Sequence, residues 1–218
     1  MTETTPTQQI EDRLRAAPPI DAERWRRVSV GLAQRAEAEG LVDVAYERHD
    51  SPLGSIVVAA THDGLVRIGL PIEGEDAVID ELAHRISGRI LRAPLRKVSQ
   101  ARQQLDEYFE LRRTAFDVAL DWQLTGGFRR QVLAATAQIP YGRTVTYTDV
   151  ATRAGSPRAV RAAGTALATN PLPIIIPCHR VLKSGGQLGA YRGGPQAKAQ
   201  LVELERGSEW VNPDPRNA

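Results

Sequence analysis

Hydrophobic positions along the chain change period several times, and each change marks an element. Residues 10–17 and 21–39 are mostly polar, with Trp25, Val28 and Leu32 recurring at helical spacing on one face of the second stretch. Pro18 and Pro19 forbid one continuous helix, because proline has no amide hydrogen and its ring clashes with the preceding turn. Asp21 is placed to cap the second piece, whose apolar face is expected to dock on another part of the molecule. From residue 42 the period becomes that of strands: 42–48, 55–61 and 65–70, separated by a Ser51-Pro52-Leu53-Gly54 turn and a His62-Asp63-Gly64 turn. The Asp-Gly pair favours a hairpin at the latter. Helical spacing returns over 75–87 and 94–111, and 115–120 reads as a strand coming back to the sheet.

Gly126-Gly127 marks a boundary, after which 128–139 reads as an amphipathic helix ended by Pro140-Tyr141-Gly142. A short helix follows over 146–154, then Gly155, then Ser156-Pro157, which reads as a cap with proline at the first position of a third helix running to Ala168. Two short helices joined through a glycine turn resemble a helix-turn-helix. The third helix carries Arg158 and Arg161 among small residues including Ala159, Ala162 and Ala163, so its backbone can come close to whatever it packs on. These patterns divide the chain into a helical extension (1–40), an α+β domain (41–125), a domain with the helix-turn-helix (126–210) and a tail (211–218).

Charge sharpens that division. The whole chain has a formal net charge of only +2, yet residues 1–125 sum to −5 and residues 126–210 to +7. The second domain is therefore the candidate polyanion binder. Composition is that of a globular protein, with 42% hydrophobic and 25% charged residues. The apolar runs fall far short of the roughly 18 residues a bilayer span needs, and the polar start lacks the order of a secretory signal; a cytoplasmic location without membrane contact is expected. The single cysteine excludes an intrachain disulfide and a thiolate-rich zinc site, and the four histidines lack metal spacing. Neither metal nor cofactor is expected.

The solitary Cys178 holds the chemical interest. Pro171-Leu-Pro-Ile-Ile-Ile-Pro177 reads as a stiff extended run, since each proline disfavours helix before it, and it delivers Cys178-His179-Arg180-Val181. An imidazole and a guanidinium beside a thiol both favour the thiolate. Adjacent side chains on a strand point to opposite faces, so His179 would reach the thiol directly only if the chain turned, and otherwise through a water. A carboxylate on the other ring nitrogen would stabilise the imidazolium. Glu203, Glu205 and Glu209 are the nearby acids, on or just beyond a closing helix over 196–206.

Ile176-Pro-Cys-His-Arg-Val181 resembles the active-site signature of O6-alkylguanine-DNA alkyltransferases. The similarity extends to residues 128–132, 139–147, 159–164, 170–171, 189–194 and 201–207, and more loosely to 43–125. It implies a small ribonuclease H-like mixed domain followed by a winged helix-turn-helix domain. It also implies direct-reversal repair, in which an alkyl group passes once and irreversibly from O6-alkylguanine in double-stranded DNA to the protein. In its terms Cys178 is the acceptor, His179 the water-mediated base and Glu205 its orienting acid. Asn170 holds the turn before the cysteine; Arg161 fills the duplex in place of the flipped nucleotide, with Ser156, Arg158 and Ala162 on the same DNA-facing helix. Tyr147 helps rotate the nucleotide and bonds the base; the Val181 carbonyl and Tyr191 line the guanine pocket. Arg192, at a position variable in the family, bears on the size of the alkyl group accepted. A monomer is expected, with cooperative assembly on DNA and activity on O4-methylthymine left open. Three other readings stay open: a lesion sensor on the same scaffold, a winged-helix regulator, and a cysteine hydrolase using Cys178, His179 and Glu205.

Overall fold

The computed structural model describes residues 21–207; the expected helix over 10–17, Glu209 and the tail from 211 lie outside them. Helix α1 (Ala22–Ala38) begins where Asp21 accepts a hydrogen bond from the Glu23 amide at 3.1 Å, which satisfies one of the orphan donors of a helix start. Its apolar face is not docked: Trp25, Val28 and Leu32 are all more than half exposed, and among the described side chains of the helix only Ala33 is buried.

Strands β1 (Val44–Ser51), β2 (Gly54–Thr61) and β3 (Leu65–Gly69) form consecutive antiparallel hairpins. The fourth strand, β4 (Ile90–Arg92), adds parallel to β1 and gives the order β3-β2-β1-β4. Residues 115–120, expected as a strand, make only a single bridge, Leu120 to Leu65. Gln104 supplies the reason: its side-chain amide donates to the Asp117 carbonyl at 2.9 Å and accepts from the Asp117 amide at 2.7 Å, so a side chain takes the place of a strand neighbour. Helix α2 (Glu75–Arg85) lays Val78 and Leu82 against Val44, Val57, Ala59 and Val66 on one face of the sheet. Helix α3 (Arg96–Phe109) covers the other with Val98, Ala101, Leu105 and Tyr108.

That second face is continuous with the core of the following domain. Val132 and Leu133 of α4 (Gly127–Ala137), Val150 and Ala151 of α5 (Tyr147–Arg153), and Ala163, Ala166 and Leu167 of α6 (Val160–Ala168) join the same cluster as Ile56, Val58 and Ile68. A two-stranded parallel sheet of β5 (Val145–Thr146) and β6 (Val181–Leu182) and a closing helix α7 (Gly194–Arg206) complete it. Helix α5 carries a reciprocal cap, Thr146 Oγ1 accepting from the Asp149 amide and the Asp149 carboxylate from the Thr146 amide.

Two local expectations fail here. Helix α6 starts at Val160, because Ser156–Ala159 closes a turn of its own in which the Ala159 amide donates to the Ser156 carbonyl; Ser156 caps no helix. Residues 171–177 are not extended either. The Ile176 amide returns to the Leu172 carbonyl at 2.8 Å, with Ile174 at φ +73°, and the chain enters a 3-10 turn at Cys178–Arg180. Among the described residues, no helix is long and apolar enough to cross a membrane.

Candidate active site

The buried turn after α6 is built around Asn170, whose side chain is 0% exposed. Its carbonyl oxygen accepts from the Leu172 amide at 3.0 Å; its nitrogen donates to the Ile176 carbonyl at 2.9 Å and to Cys178 Sγ at 3.1 Å. One side chain thus shapes the turn and solvates the sulfur it delivers. Cys178 is 2% exposed. Burial pushes its thiol up to about 11, against the pull of the Asn170 amide and the Lys198 ammonium, so the resting sulfur carries its proton.

His179 follows on the same 3-10 turn, fully buried, with Nε2 at 2.9 Å from Glu205 Oε1. Burial lowers the imidazole below its ordinary 6.5, more than the carboxylate raises it. A neutral ring beside an ionised carboxylate must hold its hydrogen on Nε2 and direct it at Glu205. The bare Nδ1 is buried and has no hydrogen-bond partner, a free acceptor on the far side of the ring from the acid.

Glu205 collects more donors than the sequence reading assigned it. Oε1 accepts from His179, from Tyr108 Oη at 2.8 Å and from Arg180 Nη2 at 2.8 Å; Oε2 accepts from Arg180 Nε at 2.8 Å and the Gly142 amide at 3.2 Å. Burial alone would raise the carboxyl, but the bonds from His179 and Arg180 outweigh it and hold the group at about 2. Arg180 is therefore not the cation beside the thiol; its guanidinium is spent on Glu205 and the Ile139 carbonyl. That cation is Lys198, fully buried on α7, with Nζ donating to the Val181 carbonyl at 2.6 Å and lying 5.8 Å from the Tyr147 ring centre. Burial brings its ammonium down to about 8, opposed by the Cys178 charge. Lys198 was legible in principle: it stands seven residues before Glu205, two helical turns along the same face.

Tyr147 and Tyr191 approach Cys178 closely enough that a thiolate there raises both phenols, with burial the larger cause. The Tyr191 hydroxyl is buried without a partner. Tyr147 lies flush against the backbone of Gly189, where an added Cβ would sit 2.0 Å from its hydroxyl oxygen. Arg158, Arg161 and Ala162 are exposed on or beside α6, and Ser156 is half-buried before it. Arg192 does not face the pocket; its guanidinium binds Glu73, Glu81 and the Thr169 carbonyl.

The two domains that carry the buried Cys178, Asn170, His179 and Glu205 are similar to domains of known proteins. Residues 127–207 match the DNA-binding domain of 6-O-methylguanine DNA methyltransferases, and residues 44–122 their ribonuclease-like domain. The chain belongs to this family. Among family members, the constitutive methylated-DNA–protein-cysteine methyltransferase of Bacillus subtilis is 35% identical over 167 residues, 74% of this chain and 94% of that protein. The methylated-DNA–protein-cysteine methyltransferase of Methanosarcina barkeri is 37% identical over 160 residues, 73% and 96% of the two chains. The crystal structure of the Mycobacterium tuberculosis O6-methylguanine methyltransferase superposes with a TM-score of 0.64 at 35% identity, covering 75% of this chain and 93% of that one. A second structure of that family member, in complex with DNA, gives 0.62 at 35% identity, with coverage of 74% and 92%.

Proposed function

We propose that this protein reverses alkylation damage in DNA directly, moving the alkyl group of O6-alkylguanine in a duplex onto Cys178. The observation that carries the reading is the orphaned Nδ1 of His179, held as an acceptor because Glu205 occupies the opposite nitrogen. A protonated buried thiol needs a base at the moment of attack, and that nitrogen is available through one water. The sulfur forms a bond to the alkyl carbon, the bond from that carbon to O6 breaks, and its electron pair stays on the guanine. The thiol proton goes to His179, whose positive charge Glu205 then offsets. The unpartnered hydroxyl of Tyr191, or that of Tyr147, donates to the departing base and makes it a better leaving group.

The target atom lies inside the stack of a duplex, so the nucleotide must be extruded. Arg161, exposed among alanines on α6, is the side chain suited to fill the gap. A thioether is a poor leaving group, so the alkyl group stays on Cys178 and each molecule acts once; the acting unit in this reading is a monomer. Incubation with excess duplex carrying O6-methylguanine measures this directly as lesions removed per protein. A plateau at one equivalent is expected; continued turnover favours the hydrolase reading, and binding without removal favours the sensor.

A further inference from the structure

Arg192 was expected in the base pocket and is instead joined to the other domain. Nε lies 2.5 Å from Glu73 Oε2, Nη2 lies 2.8 Å from Glu81 Oε2, and Nη1 donates to the Thr169 carbonyl at 3.3 Å. The same two carboxylate oxygens are shared by Arg67, which is 0% exposed and binds Glu73 through Nη2 and Glu81 through Nε. Two guanidiniums and two carboxylates therefore close a ring across the domain boundary. Its members are anchored further: Glu73 Oε1 accepts from the Leu70 amide at 2.9 Å, and Glu81 Oε1 from Arg85 at 3.0 Å. Burial would raise the Glu81 carboxyl, but Arg67 and Arg192 outweigh it and keep it lowered. An isolated exposed ion pair contributes little, whereas a largely buried, multiply bonded network holds its geometry.

What the ring holds is the segment after β6. Arg192 is the next residue after Tyr191, whose buried hydroxyl has no partner and whose ring senses charge on Cys178. On the far side, a Cβ at Gly193 would lie 2.7 Å from Leu70 of the N-terminal domain, so the backbone there is seated directly on that domain. A backbone shift at Tyr191 would disturb these contacts on the two residues that follow it.

We propose that Glu73 and Glu81 are positioning residues of the alkyl-transfer site, acting through Arg192 to fix Tyr191 against Cys178. The N-terminal domain then takes part in the transfer without touching the base. This rests on the repair reading, and a misplacement of about 1 Å at a reacting group can cost on the order of 100-fold in rate.

The test compares R192A and the double variant E73Q/E81Q with the parent protein, each also in a Y191F background. Transfer from an O6-methylguanine duplex at saturating DNA should slow by on the order of ten-fold in the parent background and by less than about two-fold with Y191F, at unchanged half-saturating DNA. Amide exchange over residues 187–193 should rise by on the order of ten-fold. Equal loss in both backgrounds, no loss in either, or unchanged exchange overturns the proposal. If R192A fails to fold, R192K keeps the charge but not the two-carboxylate geometry; an intermediate rate loss supports the proposal and a parental rate contradicts it. Should the parent protein itself transfer no methyl group, the repair reading fails, while the exchange measurement still decides whether the ring holds the segment.

Discussion

Five donor atoms converge on the Glu205 carboxylate from three separate parts of the chain, Tyr108, Gly142 and the His179-Arg180 turn, so this residue ties the site to stability. Glu205→Gln leaves Arg180 buried without its counter-charge, which should cost about 3–5 kcal/mol in urea unfolding. It also frees His179 to adopt the other tautomer, so methyl transfer should slow even where the variant is folded. The folded-state pKa of Glu205 is depressed, from 4.5 to about 2. Its contribution is therefore complete above pH 4.5 and is lost as pH falls from there toward 2. The parent's thermal midpoint should drop across that window, and the drop should be smaller in the glutamine variant. His179 is also lowered, from 6.5, so the acidic limb of the transfer rate should lie below pH 6.5. A limb centred above it would contradict a buried neutral imidazole.

At the scale of elements, α6 and the segment leading to Tyr191 do different jobs and are separable by mutation. Arg161→Ala should slow repair of the duplex far more than reaction with free O6-benzylguanine, since the free base needs no extrusion; equal losses would remove Arg161 from the gap-filling role. Gly189→Ala should slow both, because its methyl would displace Tyr147. The helices and hairpins were legible because each shows one clear period, and Cys178 and His179 because a compact motif holds them; Glu205 was singled out from Glu203 and Glu209 only by the wider resemblance over 201–207. The turn at 171–177 was not, because proline spacing speaks only of individual φ angles. The reversal at Ile174 depends on Asn170 bonding to groups two to eight residues away. Strand β4 was missed because three residues carry no period, and Arg180 was misassigned because adjacency in sequence was taken for adjacency to the sulfur.

Across the whole molecule the two domains share one core and one electrostatic ring, while their charges differ in sign. The +7 carried by residues 126–210 should make duplex affinity fall steeply as salt rises, through counterion release. The domain contact through Tyr108 and Glu205 binds the N-terminal domain to the carboxylate that holds His179. Tyr108→Phe should cost about 1–3 kcal/mol of stability by removing one donor to a buried carboxylate. The expectations about transfer depend on Cys178 being the acceptor. The direct test is the peptide mass map of the protein after incubation with an O6-methylguanine duplex, with Cys178→Ser as control. The mass of one methyl group on the peptide holding Cys178, absent from the control and matched by restored guanine, is the expected result; bound duplex with its lesion intact and an unmodified Cys178 peptide would contradict it.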